Sequence, residues 1–358
     1  MKKKWVLFLS GTAAALALGA GGCAAGSGSH AAAGGETAVQ AGTAETEAEA
    51  EDEDETKAME TTEQAASAGE TEELLAVIDD EMVPLYSKPQ GSLVRIPTAS
   101  GTVTYGNGTV SVDASNAQSG YVMVKYTGGV SKIKVQITKG GLTYTYDLNA
   151  RNAYEVFPLS EGNGTYSIKV FENVSGNQYS QAFSQDVSVS LVNQFEPFLY
   201  PNQYVNFSQG SAAVQKGAEV AASAGDALGV VNAVYNYVVN NMTYDTAKAA
   251  SVQSGYLPNV DQVLASRTGI CFDYAALMVS MLRSQDIPAK LVVGYTGSAY
   301  HAWVNVYIDG VGWIDNYIYF DGTNWSLADP TFASTGGQSD AIKQYIGNGA
   351  NYQQKYCY

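Results

Sequence analysis

The spacing of apolar positions changes along the chain, and each change marks a boundary. An apolar run from Trp5 to about Ala20 follows Lys2, Lys3 and Lys4. A basic head with a short apolar body predicts a secretory leader, too short to span a bilayer. Residues 24–73 then lose all periodicity: they are Ala, Gly, Ser, Thr and Glu with almost no aromatics, so no buried face can form. From residue 91 to 192 the period is 2. The runs TVTYGNGTVSVDAS, GYVMVKYTGG, SKIKVQITKGGLTYTYDL, AYEVFPL and GTYSIKVFENV alternate apolar with polar positions and are punctuated by Gly-Asn, Gly-Gly and Asn-Gly. About seven strands in about 100 residues predict a small all-β immunoglobulin-like sandwich.

Past the loop-like segment Phe195–Val205, which carries Pro197 and Pro201, the period becomes 3.6. Residues 212–241 read as helical, with Val230, Val231, Val234, Tyr235 and Val238 as the buried stripe. A second helix starts at Cys271, where Ala275, Met278, Val279 and Leu282 recur at helical spacing and Gly269 interrupts regular structure just before. Period 2 returns in YHAWVNVYIDG, residues 300–310. Tyr345, Tyr352, Tyr356 and Tyr358 predict an edge strand or cleft wall near the C-terminus, and Trp303, Trp313 and Trp325 core or cleft-wall positions. The expected fold class is α+β. Its expected parts are a leader (1–22), a tether (23–90), a β-sandwich (91–192) and a catalytic domain (193–358).

Charge separates tether from folded parts. The formal net charge is −16, and Glu36–Glu73 alone holds 14 carboxylates against one lysine, a net of −13. Such a segment repels itself and cannot bury enough apolar surface to order, so it reads as a disordered spacer. The acidity is therefore no sign of a basic partner. Nucleic-acid binding, which rests on basic patches, has no support.

Three cysteines and two histidines narrow the chemistry. Cys23 follows the leader and His30 lies in the low-complexity segment, which leaves Cys271, Cys357 and His301 in the folded parts. A helix N-terminus offers unpaired N–H groups and a positive dipole end, both of which favour a thiolate at Cys271. An imidazole at His301 would pair with that thiolate and later protonate a leaving amine. A carboxylate at Asp329, in NWSLADPTF, would hold the imidazole in one tautomer. Asp315 is the rival carboxylate, better suited to a strand end. In an exported chain Cys357 is also a possible disulfide partner for Cys271, a pairing that would silence the nucleophile. One histidine and two cysteines do not make a zinc set, so neither metal nor cofactor is expected.

Several blocks together resemble the bacterial transglutaminase-like domain of the papain-like thiol superfamily. They are GICFDYAALMVSMLRSQDIPAKLVVGYTG (269–297), YHAWVNVYIDGVGWID (300–315) and WSLADPTF (325–332), and the upstream YNYVVNNMTYD resembles the helix that opens such domains. The resemblance covers roughly residues 195–358. It implies Cys271 as nucleophile, His301 as base and Asp329 as orienter, acting on protein or peptide amides with water or an amine as acceptor. The run Ala20-Gly21-Gly22-Cys23 resembles a lipoprotein lipobox, with Ala20 where leucine is commonest. It implies a lipidated Cys23 and a cell-membrane anchor, the folded domains facing outside. The competing expectation is a non-catalytic surface module that keeps this fold to bind a wall or host ligand.

Overall fold

The computed structural model describes residues 6–8, 86–296, 299–308, 312–314, 318–320, 325–327 and 352–358. Most of the leader, residues 24–85 of the tether, Cys23, Asp315, Asp329 and Tyr345 lie outside the described residues. The chain divides into two units, residues 1–19 with 83–358 and residues 20–82, and every element below belongs to the first.

The N-terminal part is built from two antiparallel sheets. One runs in the order β2 (Thr104–Gly106), β3 (Val110–Asp113), β4 (Tyr121–Tyr126), β7 (Glu155–Pro158). The other runs β1 (Val6–Phe8), β9 (Gln178–Val189), β8 (Gly164–Ser175), β5 (Ile133–Lys139), β6 (Leu142–Asp147). Alternation explains both. Val110 and Val112, Val122 and Val124, Ile133, Val135 and Ile137, and Tyr166, Ile168 and Val170 are buried every second residue. Each such side chain contributes roughly 2 kcal/mol by leaving water. Strand β9 was not expected from the pattern: in QYSQAFSQDVSV only Tyr179 and Val187, with Val189, are buried, and its remaining positions are polar or only partly covered.

The helical region expected over 212–241 is two helices, α1 (Ala212–Ala221) and α2 (Ala227–Asn241). The break falls at Ser223-Ala224-Gly225, and Asp226 opens α2 by accepting from the Gly229 N–H at 2.7 Å. All five residues of the predicted stripe are buried. The chain continues through β10 (Thr243–Tyr244), α3 (Thr246–Ser251), α4 (Val260–Ser266) and β11 (Thr268–Gly269), with β10 and β11 parallel.

Helix α5 (Cys271–Arg283) is the centre of this part. It packs against α1, α2 and α4 on one side, and on the other against a sheet of order β14 (Gly312–Ile314), β13 (Ala299–Ile308), β12 (Ala289–Thr296), β17 (Tyr352–Cys357). Among the described residues, strands β15 (Ile318–Phe320) and β16 (Trp325–Leu327) pair with each other. Every side chain of α5 except Phe272 is buried, not just one stripe, as suits a helix enclosed all round. At its far end Arg283, 1% exposed, donates to the carbonyls of Ala289 (2.8 and 3.0 Å), Tyr200 (2.6 Å) and Tyr358 (2.6 Å). Burial lowers its pKa to about 9. The clamp joins α5 to the start of β12 and the end of β17.

Candidate active site

Cys271 is the first residue of α5, following Ile270 in extended conformation, and it is 1% exposed. The turn that sets this position is held by Asp273. Its carboxylate reaches back to accept the Ile270 N–H at 2.8 Å, then takes Lys248 Nζ at 2.6 Å and the Tyr256 hydroxyl at 2.6 Å. A fully buried carboxylate is tolerable only with such partners. Lys248 also lies over the Tyr256 ring, 4.3 Å from its centroid. Gly269 is required by the same device: a Cβ there would sit 2.6 Å from the Asp273 Cβ. The Gly269 carbonyl in turn accepts from the Asp245 N–H at 2.9 Å, and Asp245 caps α3 through the Lys248 N–H at 2.8 Å. The turn that carries Cys271, the lysine and the helix carrying it are thus one connected unit.

His301 stands on β13 opposite Gly294 of β12, and it is 4% exposed. Gly294 permits the sheet to close: a Cβ would fall 2.0 Å from the Gln353 carbonyl oxygen of β17. Two residues along β13, Trp303 is 1% exposed and meets the Tyr352 ring at 5.1 Å. That packing fixes the strand carrying the histidine.

Cys271 and His301 line the same cavity, of about 230 Å³. Aromatic side chains supply much of its wall: Tyr204, Tyr256, Phe272, Tyr300, Tyr356 and Tyr358. Burial pushes the Tyr300 hydroxyl up to about 12, with Tyr356, Tyr295 and Cys271 nearby adding to the shift. Burial also raises Tyr204, Tyr256 and Tyr358. All four hydroxyls therefore stay protonated near neutral pH, and that of Tyr256 is already committed to Asp273. The other wall comes from the N-terminal sheets: Lys134, Thr145, Asp147 and Asn149 line the same cavity.

The structure thus brings Cys271 and His301 together at one cavity, while Asp329, its rival Asp315 and Cys23 lie outside the described residues. Cys271 and Cys357 are both buried free thiols, so no disulfide joins them. Among the described residues no group of three or more His, Cys, Asp or Glu is placed to hold a metal. Three participants went unread in the sequence. Asp273 had a local signal, since an acidic residue at the third helical position is where a side chain reaches back to the cap. Lys248 and Tyr256 had none, because their partner becomes adjacent only in the fold.

Residues 215–330 match the family model of the transglutaminase-like superfamily and form a transglutaminase-like domain. A protein of Bacillus subtilis (strain 168) named "Uncharacterized protein YebA" is 33% identical over 104 residues, which is 24% of this chain and 14% of that one. The chain therefore spans about a seventh of that relative's length. Two solved structures are also similar. One, named a "putative cysteine protease" from Cytophaga hutchinsonii, is 16% identical with a TM-score of 0.34, over 72% of this chain and 74% of that one. The other, a "putative protease" from Parabacteroides distasonis, is 14% identical with a TM-score of 0.28, over 58% and 63%. Those TM-scores are too low to carry an argument about this chain.

Proposed function

We propose that this chain is a cell-surface lipoprotein whose transglutaminase-like domain transfers acyl groups from protein or peptide amides through a thioester on Cys271. One observation carries the reading: the single cysteine at the mouth of a buried helix and the single histidine of the folded parts line one cavity.

In the proposed reaction the Cys271 thiolate attacks the amide carbon, and the carbonyl oxygen takes the negative charge. The Cys271 backbone N–H, at the unpaired start of α5, is placed to stabilise it. Collapse breaks the C–N bond, and the His301 imidazolium gives its proton to the departing amine. The thioester is then attacked by water or by a second amine. His301 takes the incoming nucleophile's proton, and the C–S bond breaks to restore the thiol pair. Water yields hydrolysis and an amine yields a new amide. Asp329 is proposed to orient His301 and balance its charge.

The rest of the assignment follows the sequence. Residues 1–22 are read as a leader and Cys23 as the lipidated residue, more than one acyl chain being needed for stable anchoring. Residues 23–90 are read as the tether, 91–192 as an immunoglobulin-like sandwich and 193–358 as the catalytic domain. Among the described residues no helix is long and apolar enough to cross a membrane.

Digestion of a surface-protein extract with the protein tests the reaction. Mass spectrometry should find new chain ends, deamidated side chains or isopeptide links, all lost with Cys271→Ala. Products unchanged by that substitution would leave the non-catalytic binding module standing. Phase partitioning tests the anchor: the wild type should enter the detergent phase and Cys23→Ser should not.

A further inference from the structure

One wall of the cavity belongs to the N-terminal sheets, and it is a built surface. Lys134 and Asp147 stand opposite each other in the β5–β6 register and form an ion pair at 2.6 Å. Thr145 lies two residues before Asp147 on the same face of β6, and Asn149 lies just past the end of that strand. All four line the cavity that holds Cys271 and His301. Thr145 and Asn149 are exposed, while the alternate positions Tyr144 and Tyr146 are buried.

Those buried tyrosines fix the wall against the catalytic part. Tyr144 meets the rings of Tyr356 and Tyr358 at 5.0 and 5.6 Å, and Tyr146 meets Tyr204 at 5.8 Å. Gln203 Nε2 donates to the Asp147 carbonyl at 3.1 Å and to Glu155 Oε1 at 2.9 Å. The wall is thus held by the segments that carry the aromatic side of the cavity.

On the reading that Cys271 is the nucleophile, we infer that the β5–β6 face, through Thr145 and Asn149 beside the Lys134–Asp147 pair, binds the acyl-donor substrate, and that this substrate is an extended polypeptide. Three features point to that class. The cavity, about 230 Å³, lies below the range for a drug-sized ligand, so its enclosed part admits little more than one side chain and its amide. From Thr145 along the end of β6 and just past it to Asn149 the wall spans up to about 13 Å at ~3.3 Å per residue, which matches several residues of extended chain and exceeds the reach of a small amide. Its charges cancel within one ion pair, so it presents neutral polar groups suited to peptide N–H and C=O rather than to an anion or a cation.

The test uses the full-length protein and two reagents that alkylate Cys271. One is a pool of randomised capped hexapeptides ending in an acyloxymethyl ketone, and the other is iodoacetamide. Thr145→Ala/Asn149→Ala should slow alkylation by the peptide pool about tenfold and leave the iodoacetamide rate unchanged. Thr145→Trp, which crowds the wall from an exposed position, should slow the pool at least as much. Equal slowing with both reagents would place the effect on the nucleophile and overturn the wall. An unchanged rate with the pool in both variants would overturn it as well. Failure of both reagents to label wild-type Cys271 would instead overturn the nucleophile, and this inference with it.

Discussion

Two buried free cysteines sit in this fold, and their surroundings differ in every respect that matters to a thiol. Cys271 opens a helix, faces a cavity and shares it with His301. Cys357 lies in β17 opposite Val292, 3% exposed among Phe198, Val292, Trp303 and Tyr352. Its Sγ is 3.8 Å from the Tyr144 hydroxyl, and burial pushes its pKa up to about 11. Burial alone therefore says nothing about reactivity. Backbone N–H groups, a basic partner and an opening to substrate distinguish a proposed nucleophile from a core residue.

The largest expected effect breaks that comparison directly. Cys271→Ala should lower turnover by at least about 10³-fold, the scale on which loss of a nucleophile is felt. Cys357→Ala should leave turnover near that of the wild type. Steady-state release of amine from a peptide amide would measure both, and the reverse order of losses would exchange the two roles.

Next comes the carboxylate. Asp329→Asn should lower turnover by about 10²–10⁴-fold at unchanged melting temperature, because an amide cannot balance the imidazolium charge. Asp315→Asn should be mild. A large loss at Asp315 beside near-normal activity at Asp329 would reverse the assignment and leave only the Cys271–His301 pair.

The contrast in polar support can be sharpened through stability. Lys248→Met strips the main countercharge from a buried carboxylate and should destabilise the fold by about 3 kcal/mol. Tyr144→Phe, beside Cys357, removes a hydroxyl that donates to the Glu161 carboxylate and accepts from the Cys357 N–H, and should cost less, about 2 kcal/mol. Urea midpoints measure both. Lys248→Met/Asp273→Asn should recover part of the loss, since the charge left unpaired is then gone.

Alkaline pH gives a smaller effect. Cys357 holds its proton more tightly in the fold, to about 11, than in the unfolded chain, near the ordinary thiol value of 9.0. Above pH 9 the unfolded state therefore binds fewer protons, so native stability falls as pH rises from about 9 to about 11. The share from Cys357 is on the order of 2–3 kcal/mol once both states have ionised. Tyr144 and Tyr358, also raised by burial, act in the same direction at higher pH. Urea midpoints between pH 8 and 11 should fall less steeply in Cys357→Ala than in the wild type. Parallel curves would assign the alkaline loss to the tyrosines alone.

Much of this arrangement was legible in the sequence because its signals are local. Period 2 located β3 to β8, and period 3.6 located α2 and α5. Gly269 before Cys271 marked the helix start. Strand β9 escaped because few of its side chains are buried, so its pattern resembles a polar loop. The split between α1 and α2 escaped because the intervening Ser-Ala-Gly is brief and the alanines around it favour a continuous helix. The Lys248–Asp273–Tyr256 network and the β5–β6 wall were out of reach for a different reason. Their members lie far apart in the chain, and only the fold brings each set to one place.

The most direct measurement of the central claim is acid-quenched peptide mapping after incubation with an activated peptide ester. Wild-type protein should carry the acyl group on Cys271, and the adduct should form at least about 10²-fold more slowly in His301→Ala, the share that a positioned general base contributes. An adduct on Cys357, or one forming on Cys271 as fast without His301 as with it, would contradict the proposed pair.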